Sequence, residues 1–226
     1  MADEGKLQFP CAPGQRRFWL LHQLNPRSPS LNIAVRWRLE GKVSHADLEQ
    51  AFRLIMARHQ VLRTSFAEAG GGVTQIVEPH VLFHIPIVDL TGLPEAEALI
   101  EAGRTARLEA STPFELSAPP PMRVTHVRVC DNVSVLLVTL HRIVCDAWSI
   151  GILAREMSEI CAALHAGRPP VLPDLRVSYG EFSARRADQL ARLIQKTDAD
   201  FWERTLRGLK RLEIQADRAH PPLLTA

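Results

Sequence analysis

Residues 32–39 alternate strictly. Ile33, Val35, Trp37 and Leu39 fall on one side and Arg36 and Arg38 on the other, the period-two pattern of a half-buried strand. Ahead of it, Pro13 is placed for the first turn of a helix through Phe18, Trp19, Leu20, Leu21 and Leu24, which Asn25-Pro26 stops. After it, Ser44 with Asp47 three residues on makes an acidic variant of the capping box. Leu48, Ala51, Phe52 and Ile55 then form a helix stripe. A short strand at Leu62–Phe66 and another at Val73–Val77 flank Gly70-Gly71-Gly72 and predict a hairpin. Pro94 opens a helix to about Ala110. Met122–Val129 and Val133–Leu140 flank Asp131-Asn132 as a second hairpin. Val133–Leu140 is apolar almost throughout, which predicts a central strand covered on both faces. Ile150, Leu153, Met157, Ile160 and Leu164 step by three and four along a helix that Gly167 and Pro169-Pro170 end. Further helices are expected at Tyr179–Leu193 and Asp198–Leu209. The order of elements is α/β with a mixed sheet.

The chain has 226 residues, enough to bury a core, with 46% hydrophobic and 23% charged residues, as in ordinary globular proteins. A net charge of +2, with arginines scattered among acids, gives no electrostatic case for nucleic acid. The first ten residues have neither a basic nor an apolar leader region, and no apolar stretch approaches the ~18 residues of a membrane span. Cys11, Cys130, Cys145 and Cys161 are far apart and suit buried thiols in a reduced, cytoplasmic setting. His80 and His84 have a helical ligand spacing but flank Val-Leu-Phe without nearby acids, so no metal site is expected. The triple glycine lacks the Lys-Ser/Thr of a phosphate-binding loop and is read as a turn.

The chemistry concentrates where the apolar run ends, in LHRIVCDAWSIGIL (140–153). This stretch resembles the HHxxxDGWS signature of condensation domains in nonribosomal peptide synthetases. APGQRRFWLLHQL (12–24), RHQVLRTSF (58–66) and TPFELSAPPPMRV (112–124) resemble other segments of that family, in the family's order. Tyr179–Phe182 and FWERTLRGL (201–209) are similar to the family's segments after the signature. The resemblance implies a chloramphenicol acetyltransferase-like fold of two lobes with a tunnel between them. Carrier proteins would present donor and acceptor thioesters there on phosphopantetheine arms, with no cofactor bound to the domain itself. Residues 1–226 correspond to the first lobe, so the second is expected to be absent from this sequence.

In the family, the histidine four residues before the aspartate acts on the acceptor amine. That position is Arg142 here. A guanidinium offers five donors and no acceptor, so it cannot be a general base, although it can donate to an oxyanion or hold a carboxylate. His141, its neighbour, is the other catalytic candidate, but successive side chains of a strand point to opposite sides, so an Arg142 facing the tunnel leaves His141 facing the protein and bracing the loop, and its substitution for the missing histidine would need a local slip of the backbone. The family also pairs the aspartate with the arginine of the second segment, which predicts an Arg63–Asp146 ion pair. Ala147 stands where the family has glycine, at a cost of about 1 kcal/mol if φ there is positive. Trp148 is expected to pack the start of the next helix and Ser149 to cap it.

Two functions compete on this reading. One is an amide-forming acyltransferase lobe, inactive alone and dependent on a C-terminal-lobe chain. The other is a non-catalytic module that docks carrier proteins or tailoring enzymes, a role the HRxxxD form also resembles. A remnant without activity of its own is the third. A cyclising relative is disfavoured, because its signature begins with aspartate where this chain has His141.

Overall fold

The computed structural model describes residues 5–193 and 196–210, together with 212 and 217. Two antiparallel-rich sheets organise the chain. The larger runs β2 (Asn32–Glu40), β7 (Val133–His141), β6 (Met122–Cys130) and β5 (Ile87–Asp89), with β5 parallel to β6 and the other pairs antiparallel. The smaller runs β1 (Leu7–Pro10), β4 (Gly72–Val77) and β3 (Thr64–Ala69). The helices are α1 (Pro13–Leu24), α2 (His45–Arg58), α3 (Glu95–Ser111), α4 (Ala147–His165), α5 (Tyr179–Leu193) and α6 (Lys196–Leu206).

The near-continuous apolar run of β7 has the expected cause, since both of its faces are covered. Leu136, Val138 and Leu140 join Met122 and Val124 under α2 and α4, where Phe52, Ile55 and Ile160 are fully buried. Val135 and Leu137 join Val127 and Val129 under Ala98 and Ala102 of α3. Each large side chain removed from water here contributes roughly 1.5–3 kcal/mol. A third cluster gathers Cys11, Phe66, Phe114, Leu116 and Ile143 with Phe18 and Trp19 of α1, joining the small sheet to the end of β7.

The β3–β4 hairpin turns on Gly70 and Gly71, both left-handed at φ +60° and +78°, as the twist of a tight hairpin requires. The first strand of that hairpin begins later than the pattern predicts. Gln60–Arg63 is a 3-10 turn and pairing starts at Thr64. Two strands have no usable periodicity. β1 is four residues long and β5 three, so each is defined by its neighbour rather than by its own alternation. α6 also begins and ends earlier than the expected Asp198–Leu209. His80 and His84 lie in an extended loop, where His84 hydrogen-bonds Glu49 at 2.9 Å, and among the described residues no His/Cys/Asp/Glu group could hold a metal. No described helix is long and apolar enough to cross a membrane.

One contact lies outside the reach of pattern. α5 lies flush on β1 at Gly180, where an added Cβ would run into the Phe9 ring. Beneath it runs a buried polar chain. Gln15 Nε2 donates to Gln75 Oε1 (2.9 Å), and Gln75 Nε2 donates to Pro10 O (3.0 Å) and Ser183 Oγ (2.8 Å). Ser183 Oγ donates in turn to Pro10 O at 2.6 Å. Such a network is favourable only when all its members are present.

Candidate functional site

At the end of β7 the strand alternation separates the two residues that could carry chemistry. His141 turns inward and is 1% exposed, whereas Arg142 is exposed. The inward ring packs edge-on to His22 (centroids 5.3 Å, 86°) and to Phe114 (6.1 Å, 83°). Its Nδ1 accepts from the Ile143 N–H at 3.1 Å, so the neutral ring carries its proton on Nε2, which has no partner among the described residues. Burial, aided by the nearby His22, pushes the imidazole down to about 4, so it is uncharged at neutral pH. His141 therefore braces the turn and presents no lone pair to solvent.

Arg142 is held by its backbone, whose N–H donates to Leu31 O at 2.8 Å. Among the described residues its guanidinium has no ion-pair partner. The arrangement can donate hydrogen bonds to an anion or carbonyl but cannot accept a proton.

Phe114 is itself fixed from behind. The Arg123 guanidinium lies 3.9 Å from its ring centroid and donates to the carbonyls of Glu109 (3.1 Å), Thr112 (2.6 Å) and Pro113 (3.1 Å), closing the C-terminal end of α3. Asn32 Nδ2 donates to Ala110 O and Thr112 O, both at 2.8 Å, from the strand position opposite His141. Sequence reasoning missed His22, Phe114 and Arg123 as neighbours of the turn. All three lie inside segments already singled out, and only their convergence was invisible.

The expected Arg63–Asp146 ion pair is not formed. Asp146 is the N-cap of α4. Its Oδ1 accepts from Ser149 N–H (2.8 Å) and Ser149 Oγ (2.7 Å), and Ser149 Oγ accepts from Asp146 N–H (3.3 Å). The Ser149 hydroxyl and amide hold the Asp146 carboxyl below the usual aspartate value. Arg63 instead donates to the Glu78 carbonyl, and the Glu78 N–H returns to Arg63 O at 3.0 Å, locking the 3-10 turn to the exit of β4. Its Nε is buried without a partner among the described residues, and burial lowers its pKa. Ser149 thus takes part in the cap from the third helical position, with Asp146 as the capping residue.

Ala147 opens α4, and no described non-glycine residue has positive φ, so its methyl group costs no backbone strain. Trp148 departs from expectation. It is 80% exposed, because the second position of the helix directs it away from the core beneath α4.

Because the two side chains serve different elements, their removal should be additive. Asp146→Ala should cost about 1 kcal/mol as a lost cap, and the Arg63→Ala/Asp146→Ala double variant should equal the sum of the single losses within ~0.5 kcal/mol in urea unfolding. A double variant losing far less than the sum would place the two residues in one pair.

Residues 7–224 match the family model of the condensation domain. The chain is 32% identical over 218 residues to a component of the linear gramicidin synthase of Brevibacillus parabrevis, covering 96% of this chain and 4% of that protein. It is 37% identical over 210 residues to phosphinothricin tripeptide synthetase PhsB of Streptomyces viridochromogenes, covering 90% and 17%. Among solved structures, the starter condensation domain of rhizomide synthetase in complex with C8-CoA superposes with a TM-score of 0.81 at 23% identity, covering 95% of this chain and 49% of that one. The first condensation domain of the calcium-dependent antibiotic synthetase gives 0.77 at 21%, covering 91% and 49%. The chain belongs to the condensation-domain family of nonribosomal peptide synthetases and has its chloramphenicol acetyltransferase-like α/β fold. It spans about half the length of the solved domains it matches, and a small part of the curated relatives.

Proposed function

We propose that residues 1–226 form the first lobe of a two-lobed condensation domain, working in the cytoplasm on amide formation between carrier-bound acyl or aminoacyl thioesters, and that this lobe lacks the base the reaction requires. The phosphopantetheine arm would arrive with the carrier protein, and no cofactor of the lobe's own is needed. The observation that carries the reading is the orientation at the end of β7. The side chain facing outward is Arg142, and the imidazole beside it is buried and neutral with its acceptor nitrogen already used. A second lobe, carried on the same polypeptide or on a C-terminal-lobe chain, would complete the tunnel. A different partner is favoured over a second copy, since an isologous pairing across this face would bring two Arg142 side chains near one axis.

Purified protein given donor and acceptor carrier thioesters should yield no amide above the uncatalysed rate, and His141→Ala should leave that result unchanged. Product that disappears with His141→Ala would overturn the assignment. Trp148, 80% exposed at the start of the helix after Arg142, favours a second reading in which this face docks a carrier protein or tailoring enzyme without catalysis. In that case Trp148→Ala should weaken binding of the partner whatever stands at position 142.

A further inference from the structure

Away from the motif loop, the large sheet buries a histidine in its middle. His126 of β6 is 2% exposed and, by strand alternation from Met122 and Val124, faces α2. Its Nδ1 lies 3.3 Å from Nδ1 of His45, the first residue of α2, and the two ring planes are within 3° of parallel. The 5.6 Å between ring centroids is then made up of the two ring radii and the nitrogen gap, so the rings meet edge to edge in one plane rather than face over face. Two bare lone pairs repel across such a gap, and so do two N–H groups. One nitrogen therefore donates and the other accepts, with a single proton between them.

The surroundings set the direction of that bond. His45 Nε2 is 3.7 Å from Glu49 Oε1, one turn along α2. The carboxylate favours an N–H on that nitrogen, which leaves His45 Nδ1 as the acceptor and His126 Nδ1 as the donor. His126 Nε2 is then a buried lone pair without a partner among the described residues. Glu49 also accepts from the Ile85 N–H (3.3 Å) and lies 2.9 Å from His84 Nδ1, so the same carboxylate ties the loop before β5 to α2. Other charged groups nearby are Asp47 and Arg53 of α2, and Arg128 of β6 with its partner Asp89 of β5. β2 and β7 present Leu39 and the buried Ser134 hydroxyl to this side, and α4 presents Cys161, whose thiol burial keeps protonated.

We propose that the His45–His126 bond is a proton-controlled latch, holding the first turn of α2 on β6 while the pair shares one proton and releasing it when the pair takes up another. The further proton has two places to go. On His45 Nδ1 it sets two N–H groups against each other and breaks the bond. On His126 Nε2 it puts a charge into a site 2% exposed, with the Arg128 charge nearby. Burial first, then His45 and Arg128, hold the His126 imidazole below the ordinary histidine value. The unfolded chain thus takes up this proton more readily, and the stability of the closed pair is fully present above about 6.5 and lost as the pH falls below it. Arg58 stands at the other end of α2, roughly 20 Å along its axis, so the inference does not depend on the role of Arg142.

Nitrogen-15 NMR of the histidine rings reads the latch directly in the whole chain. At pH 7.5 His126 should carry its proton on Nδ1 and His45 on Nε2, and at pH 5.5 that pattern should be lost. Over the same interval the amides of Leu48, Glu49 and Ile85 should come to exchange about tenfold faster, after correction for the intrinsic rate, while those of Leu153 and Met157 in α4 keep their protection. His45→Asn puts an amide oxygen where Nδ1 stood. It accepts from His126 and does not titrate, so exchange at the three amides should become independent of pH. A His126 proton on Nε2 at pH 7.5, equal acceleration in α2 and α4, or acceleration in His45→Asn as large as in the parent would each overturn the proposal.

Discussion

Lowering the pH from 7 to 4 is expected to remove roughly 3 kcal/mol of stability through His141 alone. In the unfolded chain its imidazole takes up a proton near the ordinary 6.5, whereas in the folded chain it does so only near 4. Between those values the unfolded state binds more protons. The contribution is therefore fully present above about 6.5 and lost as the pH falls through the window. Burial lowers His22 and His126 in the same direction, so they add to the slope. His141→Asn keeps an acceptor for the Ile143 N–H but does not titrate. Urea unfolding at several pH values should show the variant's dependence flatter by up to one proton, with the difference confined to pH 4–6.5. Superimposable pH profiles for the two proteins would show that His141 is protonated as readily in the fold as out of it.

The second large effect is expected at Glu156. This carboxylate, 7% exposed on α4, accepts from Arg58 at the end of α2 and lies against His59, joining the two helices that cover the main sheet. Glu156→Ala leaves a mostly buried guanidinium without its counter-charge, a loss of about 3–5 kcal/mol. Glu156→Gln should lose less, because the amide oxygen still accepts from Arg58 Nε. Additional Arg58→Leu in the Glu156→Ala background should recover part of the loss, since it removes the stranded charge. A melting temperature within a degree of the parent for Glu156→Ala would place the cluster in effectively aqueous surroundings.

How much of the fold and site is legible in the sequence depends on the range of the interactions. Elements with their own periodicity, β2, α2, α4 and the doubly covered β7, are visible because a face of each is buried along its length. The inward and outward assignment of His141 and Arg142 is legible for the same reason, as strand alternation decides it locally. Asp146 and Ser149 lie three residues apart, the spacing of a capping box, but the family resemblance directs Asp146 towards Arg63. The local cap competes for the same oxygen and prevails, because its partners are three residues away and already ordered by the helix. Glu156 falls outside the apolar stripe of Ile150, Leu153, Met157, Ile160 and Leu164 in the sequence. It is buried by Arg58 and His59, almost a hundred residues earlier, and no local pattern carries that information. The exposed Trp148 runs against expectation because tryptophan is on average a highly buried residue.

The clasp of α5 on β1 bears on how the chain is made. Ser183 Oγ and Pro10 O are 173 residues apart in sequence, and the buried Gln75 between them makes both of its Nε2 hydrogen bonds only when both are in place. At roughly 5–20 residues per second, the ribosome delivers Ser183 on the order of ten seconds after Pro10. Through that interval the first strand has its sheet neighbours in reach but no lid. Gln75 lacks one of its acceptors, and the Phe9 ring faces water. Covering of the small sheet by α5 is therefore a late step of synthesis, and until then the nascent β1 is open to wrong strand pairing or to a chaperone.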